Sequence, residues 1–296
     1  AADDAAGDWF GSSVAIDGDT VVVGARFDTD AGTNSGSAYV FRTSDGGATY
    51  GQVAKLTAAD GAANDGFGGS VAIDGNTIVI GARSDADAGS NSGSAYVFRT
   101  TNGGVTYGQV AKLTADDAAS GDEFGGSVAI AGNTIVVGAD GDGSWLGSVY
   151  VFRTSDSGAT YDQMAKLTAS DAAANDYFGR SVAISAGIIA IGAPGDDEGG
   201  GFGSGSVYLF QTEDDGATWS EFAFLIASDA ATEDYFGISV AISGVRVITG
   251  AYKEDGAGGD SGATYLFEMP ATPEPTTAAP TPRPTINNVM TDSNIN

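Results

Sequence analysis

One pattern is written five times along this chain, and it limits the fold more than any other feature. Phe-Gly pairs begin at Phe10, Phe67, Phe124, Phe178 and Phe236, at intervals of 57, 57, 54 and 58 residues. Each pair leads into an alternating Ser-Val-Ala-Ile stretch, a tight turn and an apolar run ending in Gly-Ala. An acidic loop, a Gly-Ser-(Ala/Val)-Tyr-(Val/Leu)-Phe segment and a final Ala-Lys-Leu-Thr-type segment complete the unit. A period of this length marks repeat architectures, in which each unit buries its apolar face only against its neighbours. Such a repeat specifies an architecture far better than it specifies a ligand.

The second copy shows the local structure. Gly69-Ser70-Val71-Ala72-Ile73 alternates as a strand does, and Asp74-Gly75 is a hairpin turn in which glycine tolerates positive φ. Thr77–Ile80, Ser94–Phe98 and Gln109–Leu113 supply three further strands. Thr77–Ile80 is apolar on both faces, as in a strand covered from both sides. Four short strands per copy with hardly any helical periodicity predict an all-β chain, a β-propeller of four-stranded antiparallel blades. Five repeats are visible, giving either a five-bladed ring or part of a seven-bladed one. The fifth copy stops at Leu266-Phe267-Glu268-Met269, before any fourth strand, and this leaves an exposed edge. Gly68 and Gly81 fall where a Cβ should crowd a neighbouring element.

Composition removes several chemistries. There is no Cys and no His, which excludes thiolate nucleophiles, Cys/His zinc sites and imidazole triads. Thirty-nine acidic residues against 12 basic ones give a net charge of −27, which repels nucleic acid and anionic lipid. No apolar run approaches the roughly 20 residues of a membrane span. The chain begins with Ala rather than Met and shows no signal peptide, so the expectation is a mature form or a fragment.

Strand parity distributes that charge. In an up-and-down blade the first and third connections share one end, and the second connection shares the other with the link to the next blade. The second connections are 26–37, 83–94, 140–147, 194–206 and 252–262. Together with the links they hold 26 of the 39 acidic residues. Loops on a rigid scaffold are where binding sites tend to be built. The candidate ligand-binding residues on this acidic face are Asp28, Asp30, Asp85, Asp87, Asp140, Asp142, Asp196, Asp197, Glu198, Asp255 and Asp260.

Two resemblances follow from these motifs. Thr43-Ser44-Asp45-Gly46-Gly47-Ala48-Thr49-Tyr50, repeated at Thr100, Thr154 and Thr212, resembles the Asp-box of sialidases and related propellers, with Asn102 in place of Asp in the second copy. Its expected role is structural, a hairpin in which Asp or Asn bonds nearby backbone N–H groups and the aromatic packs under the turn. Phe178-Gly179 with Gly192-Ala193-Pro194 resembles the FG-GAP repeat of integrin α-subunit propellers, closest to secreted microbial and algal variants, over residues 1 to 268. For integrins the resemblance implies a seven-bladed propeller at the cell surface that binds extracellular protein ligands. Metal-binding members carry an Asp-x-Asp-x-Asp-Gly calcium loop between the first two strands. Asp17-Gly18-Asp19 and its counterparts here are two-residue turns, unable to supply the about six to eight oxygens of Ca²⁺.

Other sites are weighed on the same residues. Asp8, Asp65, Asp122, Asp176 and Asp234 stand two residues before each Phe, and Asp3, Asp60, Asp117, Asp171 and Asp229 seven before it. Repetition in every blade favours turn-forming or capping roles. The pairs Asp28/Asp30, Asp85/Asp87 and Asp140/Asp142 could hold Ca²⁺ weakly or in shared fashion, against a solvated acidic rim. A sialidase-like hydrolase would need converging arginines, but Arg42, Arg99 and Arg153 recur at equivalent positions of separate blades. No catalytic residue is assigned and an enzyme is not expected.

The predicted organisation is a propeller over 1–269, a Pro/Thr-rich linker or stalk over 270–285 resembling O-glycosylated stalks, and a segment over 286–296 that is disordered or begins a missing part. The expected function is an extracellular binding or adhesion module, secreted or at the cell surface. Its acidic loop face would engage a protein or glycan ligand, and the propeller would be a monomer tethered by the stalk. Neither nucleic acid nor membrane insertion is expected. A non-catalytic surface-coat repeat protein is the alternative.

Overall fold

The structure, a computed structural model, describes residues 5–256, 258–269 and 290–291. The Pro/Thr-rich stretch 270–285 and most of 286–296 lie outside the described residues. The fold is all-β, a propeller arrangement of five four-stranded antiparallel blades. One four-residue turn, Asp142–Trp145, is the only helix among the described residues, and none is long and apolar enough to cross a membrane.

Blade 1 is β1 (Phe10–Asp17), β2 (Thr20–Ala25), β3 (Ser37–Arg42) and β4 (Gly51–Leu56). Blade 2 is β5 (Ser70–Asp74), β6 (Thr77–Ala82), β7 (Ser94–Arg99) and β8 (Gly108–Leu113). Blade 3 comprises β9 (Ser127–Ala131), β10 (Thr134–Ala139), β11 (Ser148–Arg153) and β12 (Asp162–Leu167). Blade 4 comprises β13 (Ser181–Ser185), β14 (Ile188–Ala193), β15 (Ser206–Gln211) and β16 (Ser220–Leu225). Blade 5 has β17 (Ser239–Ser243), β18 (Arg246–Ala251) and β19 (Ala263–Glu268). Its fourth strand is β20 (Met290–Thr291), paired with Leu266 and Tyr265. The sequence reading left that place empty. Two residues more than twenty positions downstream, outside the repeat pattern, fill it, and no periodicity could have announced them.

The chain divides into two compact units, Ala1–Asp142 with Tyr150–Lys166, and Gly143–Val149 with Leu167–Asn296. Within the first unit, the middle strands of blade 1 and the first strands of blade 2 share one core. Val22, Ala38, Val40 and Leu56 meet Val71, Ile73, Ile78, Ile80, Tyr96 and Phe98. Blade 2 meets blade 3 in the same way, and within the second unit so do blades 4 and 5. Middle strands therefore have two apolar faces, one turned to each neighbour, which explains their unbroken apolar runs.

Glycine sets the blade spacing. A Cβ on Gly24 would overlap the carbonyl oxygen of Gly68, and one on Gly81 would overlap that of Gly125, so adjacent blades approach backbone to backbone. Phe67, Phe124 and Phe236 are fully buried at these junctions, each edge-on to a tyrosine and a phenylalanine of its own blade. The outer strand pair carries the same register slip in three blades, between Val40 and Phe41, Val97 and Phe98, and Leu209 and Phe210. A bulge there adds local twist to the edge.

Candidate functional site

The second loop of each blade lies beside the link to the next. In the first unit, Asn64 N–H donates to Thr33 O at 2.8 Å and Phe67 N–H to Ser35 O at 3.0 Å. In the second, Tyr235 N–H donates to Gly203 O at 2.9 Å. Strand parity thus puts loop and link at one end locally, as read from sequence, and with them the acidic residues.

These carboxylates form two groups. Asp28, Asp85, Asp140 and Asp196 are buried. Asp28 accepts hydrogen bonds from the Tyr39 hydroxyl at 2.7 Å and Ser37 Oγ at 2.9 Å, and its Oδ2 lies 2.9 Å from Lys55 Nζ. Lys55 also contacts Asp30. Blade 2 repeats the arrangement, with Tyr96 donating to Asp85 at 2.7 Å and Lys112 Nζ contacting Asp60 at 2.7 Å, Asp85 at 3.0 Å and Asp87. In blade 3, Tyr150 donates to Asp117 at 2.9 Å, and Lys166 lies 2.7 Å from Asp117 and 2.6 Å from Asp142. Each lysine also sits over its tyrosine ring, 5.1 to 5.3 Å from the centroid. Asp142 is thus the blade-3 counterpart of Asp28, while Asp140 is the counterpart of Arg26.

Charge state follows from these contacts. Burial alone would raise the Asp28 pKa, but the bonds from Tyr39 and Lys55 outweigh it and hold the carboxyl at about 2. Burial likewise works against the Lys112 and Lys166 ammonium groups, and their carboxylate partners overcome it and push both pKa values up.

Blade 4 departs from the pattern. Phe224 stands where the lysines stand, its ring stacked on Tyr208 with centroids 6.4 Å apart. Tyr208 donates to Asp196 and, at 2.8 Å, to Asp171. Burial raises the Asp196 pKa, and the neighbouring Asp171 adds to the effect. Asp176 is pushed up to about 6, by burial first and then by Asp196, Asp197 and Asp171. In blade 5, Tyr265 donates to Asp229 at 2.9 Å.

The remaining repeated residues serve turns. Asp65, Asp122, Asp176 and Asp234 each accept from the backbone N–H three positions earlier, at 2.6 to 2.7 Å. In the third connections Asp45 accepts from Thr49 N–H at 2.9 Å and Thr49 Oγ1 at 2.6 Å, while Thr43 Oγ1 accepts from Gly47 N–H at 2.9 Å. Asn102 likewise accepts from Thr106 N–H at 3.0 Å, but its Nδ2 donates to Thr106 Oγ1 at 2.9 Å. Arg42 reaches the Gly103 carbonyl of the next blade, so Arg42 and Arg99 act as pegs under successive hairpins and do not converge.

The calcium expectation meets a physical obstacle. The ammonium groups of Lys55 and Lys112 already sit between the paired carboxylates at 28/30 and 85/87. In the first turns, Asp17 and Asp74 accept from Gly75 and Gly132 N–H of the following blade. Among the described residues no three Asp or Glu side chains are grouped as metal ligands. These residues do not fit the ion.

Asp30 and Asp87 are exposed in the first unit, and a further exposed acidic set lies with aromatics in the second. Asp197, Glu198, Asp255 and Asp260 are exposed on loops 194–206 and 252–262. Phe202 is 61% and Tyr252 53% exposed. Tyr252 stacks on Tyr235 at 5.4 Å, with Lys253 5.0 Å above the Tyr235 ring. Sequence reasoning missed both these aromatics and the lysine clamps. The clamps left a signal, Tyr and Lys at fixed places in the repeat, whereas Phe202 and Tyr252 break the repeat and so escape any search for periodicity.

Fold and site together define a β-propeller scaffold whose repeated polar residues bond within and between its blades. The FG-GAP repeat profile matches residues 1–41, 50–98, 107–152, 161–210 and 219–267, and the chain belongs to that family. No curated protein matches it closely enough to count as a relative.

Proposed function

We propose that the protein is an extracellular, non-catalytic binding or adhesion module that engages a glycan or protein ligand through the loop end of blades 4 and 5. One observation carries the reading. Loops 194–206 and 252–262 present exposed Phe202 and Tyr252 among exposed Asp197, Glu198, Asp255 and Asp260. Exposed aromatics are unusual beside so much charge. A flat apolar ring flanked by hydrogen-bond acceptors suits a sugar ring or a basic, partly apolar protein surface. The equivalent loop in blade 2 is tied down by Lys112. The Pro/Thr-rich stretch at 270–285 supports a secreted or surface-tethered product.

The test is binding to arrays of glycans and extracellular proteins. Capture that is lost in Phe202→Ala/Tyr252→Ala and retained in Asp45→Asn supports the assignment. Equal capture by all variants, or none by the wild type, rejects it.

A further inference from the structure

The residue before each repeated Phe stands in the left-handed backbone region. Its φ is 56° at Tyr177 and Tyr235, 57° at Glu123 and 66° at Gly66. Glycine takes that conformation without steric cost, and Gly66 shows that a blade link needs no side chain there. Glu123 uses its side chain in an ion pair with Arg83. Tyr177 and Tyr235 instead hold bulky rings at the strained position, and each ring meets a second aromatic. Tyr177 lies 5.5 Å from Trp145, itself at φ 66°, and Tyr235 lies 5.4 Å from Tyr252. Lys253 sits 5.0 Å above the Tyr235 ring and 5.8 Å above that of Tyr252, which fixes the second pair.

Both pairs border one loop of the second unit. Gly195, near the start of loop 194–206, packs so closely on Tyr177 that a Cβ would lie 2.8 Å from its Cδ2. Gly203, toward the other end, would bring a Cβ to 3.4 Å from Tyr235 Cε1. Backbone bonds tie the same places together. Tyr177 N–H donates to Trp145 O at 3.0 Å, and Glu233 N–H donates to Phe202 O at 2.9 Å. The aromatics therefore follow one another as Trp145, Tyr177, Phe202, Tyr235 and Tyr252, with a glycine-rich loop between the two pairs. Trp145, Phe202 and Tyr252 are exposed, and Tyr177 and Tyr235 are half-buried behind them. Asp197, Glu198, Asp255 and Asp260 are exposed on the same loops.

We infer that this row of rings binds a neutral polysaccharide chain, whose successive pyranose units stack on Trp145, Phe202 and Tyr252. The inference takes the glycan side of the function proposed above and rests on that reading. An open aromatic face receives the C–H face of a sugar ring, and carboxylates beside it accept hydrogen bonds from sugar hydroxyls. Those carboxylates repel sulfated and uronic chains, so the class is neutral. Open rings on successive loops suit a chain and not one enclosed sugar, because linked weak contacts reinforce each other through effective concentration.

Titration of the 296-residue protein with cellohexaose, mannohexaose and laminarihexaose tests this, followed by calorimetry and tryptophan fluorescence. The matching disaccharides and an alginate hexasaccharide serve as controls. At least one neutral hexaose should bind roughly tenfold or more tightly than its disaccharide, and the alginate chain should not bind. Trp145→Ala and Tyr252→Ala should each bring the hexaose down to the disaccharide level, while Trp145→Phe retains tight binding. Circular dichroism and melting confirm that each variant is folded, and Tyr177→Gly, which relieves the strained φ, replaces Trp145→Ala if that variant is not. Capture of extracellular proteins with no hexaose bound overturns the inference and leaves the binding-module reading standing. Capture of neither kind of ligand sinks both. Hexaose binding that equals the disaccharide's, survives Trp145→Ala, or is matched by alginate also overturns the inference.

Discussion

Blades 2 and 4 share a backbone plan, a buried tyrosine and two acidic residues bonded to that tyrosine, yet they handle charge in opposite ways. In blade 2 Lys112 ties Asp60, Asp85 and Asp87 together over the Tyr96 ring. In blade 4 the lysine position holds Phe224, and Tyr208 bonds Asp171 and Asp196 beneath a stacked aromatic. In the first arrangement burial works against the Asp60 carboxylate, but the bonds from Lys112 and Tyr96 outweigh it and lower its pKa. The second pulls Asp196 and Asp176 toward the protonated form, because burial and like charges act in the same direction. Identical folds therefore need not have identical electrostatics. In this chain the blade without the clamp also has the more exposed acidic and aromatic loop.

The largest effect should come from breaking the blade-2 clamp. Lys112→Met strands buried Asp85 and should lower unfolding free energy by about 1–3 kcal/mol, read by denaturant titration. The same lysine introduced in blade 4, Phe224→Lys, should pull the Asp196 pKa down from its raised value, as Lys55 does for Asp28, measurable by carboxyl NMR titration. An unchanged Asp196 titration would mean that the missing cation is not the cause.

Asp176 gives the next effect. A carboxyl whose folded pKa is raised contributes stability below its unfolded value near 3.8, and that contribution is lost as pH rises through about 6. Blade 4 should therefore loosen between pH 4 and pH 6, detectable as faster amide exchange. Asp176→Asn should flatten that dependence and gain about 1–2 kcal/mol at pH 7. Asp28 runs the other way. Its contribution is present above the unfolded value and is lost as pH falls toward about 2. The smallest effect belongs to the third connections. Asp45→Asn should leave the melting temperature unchanged, since Asn102 already makes the same turn in blade 2.

The architecture was legible because the features that build it recur. Phe67 and Gly68 need their exact places at a blade junction, so each copy repeats them. The hairpin role of Asp45 and the turn role of Asp65 were readable for the same reason, being local bonds between residues close in sequence. The division of the acidic face into buried and exposed sets was not. Asp28 and Asp30 are two residues apart in one loop and both touch Lys55, and only the fold buries the first against Tyr39 while leaving the second at the surface. β20 was hidden too, because strand pairing at an edge uses backbone groups and leaves little trace in side-chain pattern.

The proposed function depends on that division: the buried carboxylates Asp28 and Asp85 bond a tyrosine and a lysine of their own blade, and the exposed ones are proposed to meet a ligand. Two variants measured side by side, on the same ligand array and by the same melting assay, test it most directly. Neutralising the exposed set, Asp197→Asn/Glu198→Gln/Asp255→Asn/Asp260→Asn, should abolish capture and leave the melting temperature in place. Neutralising the buried pair, Asp28→Asn/Asp85→Asn, should lower the melting temperature and spare capture by the molecules that remain folded. Capture that survives the first variant undiminished would contradict the account.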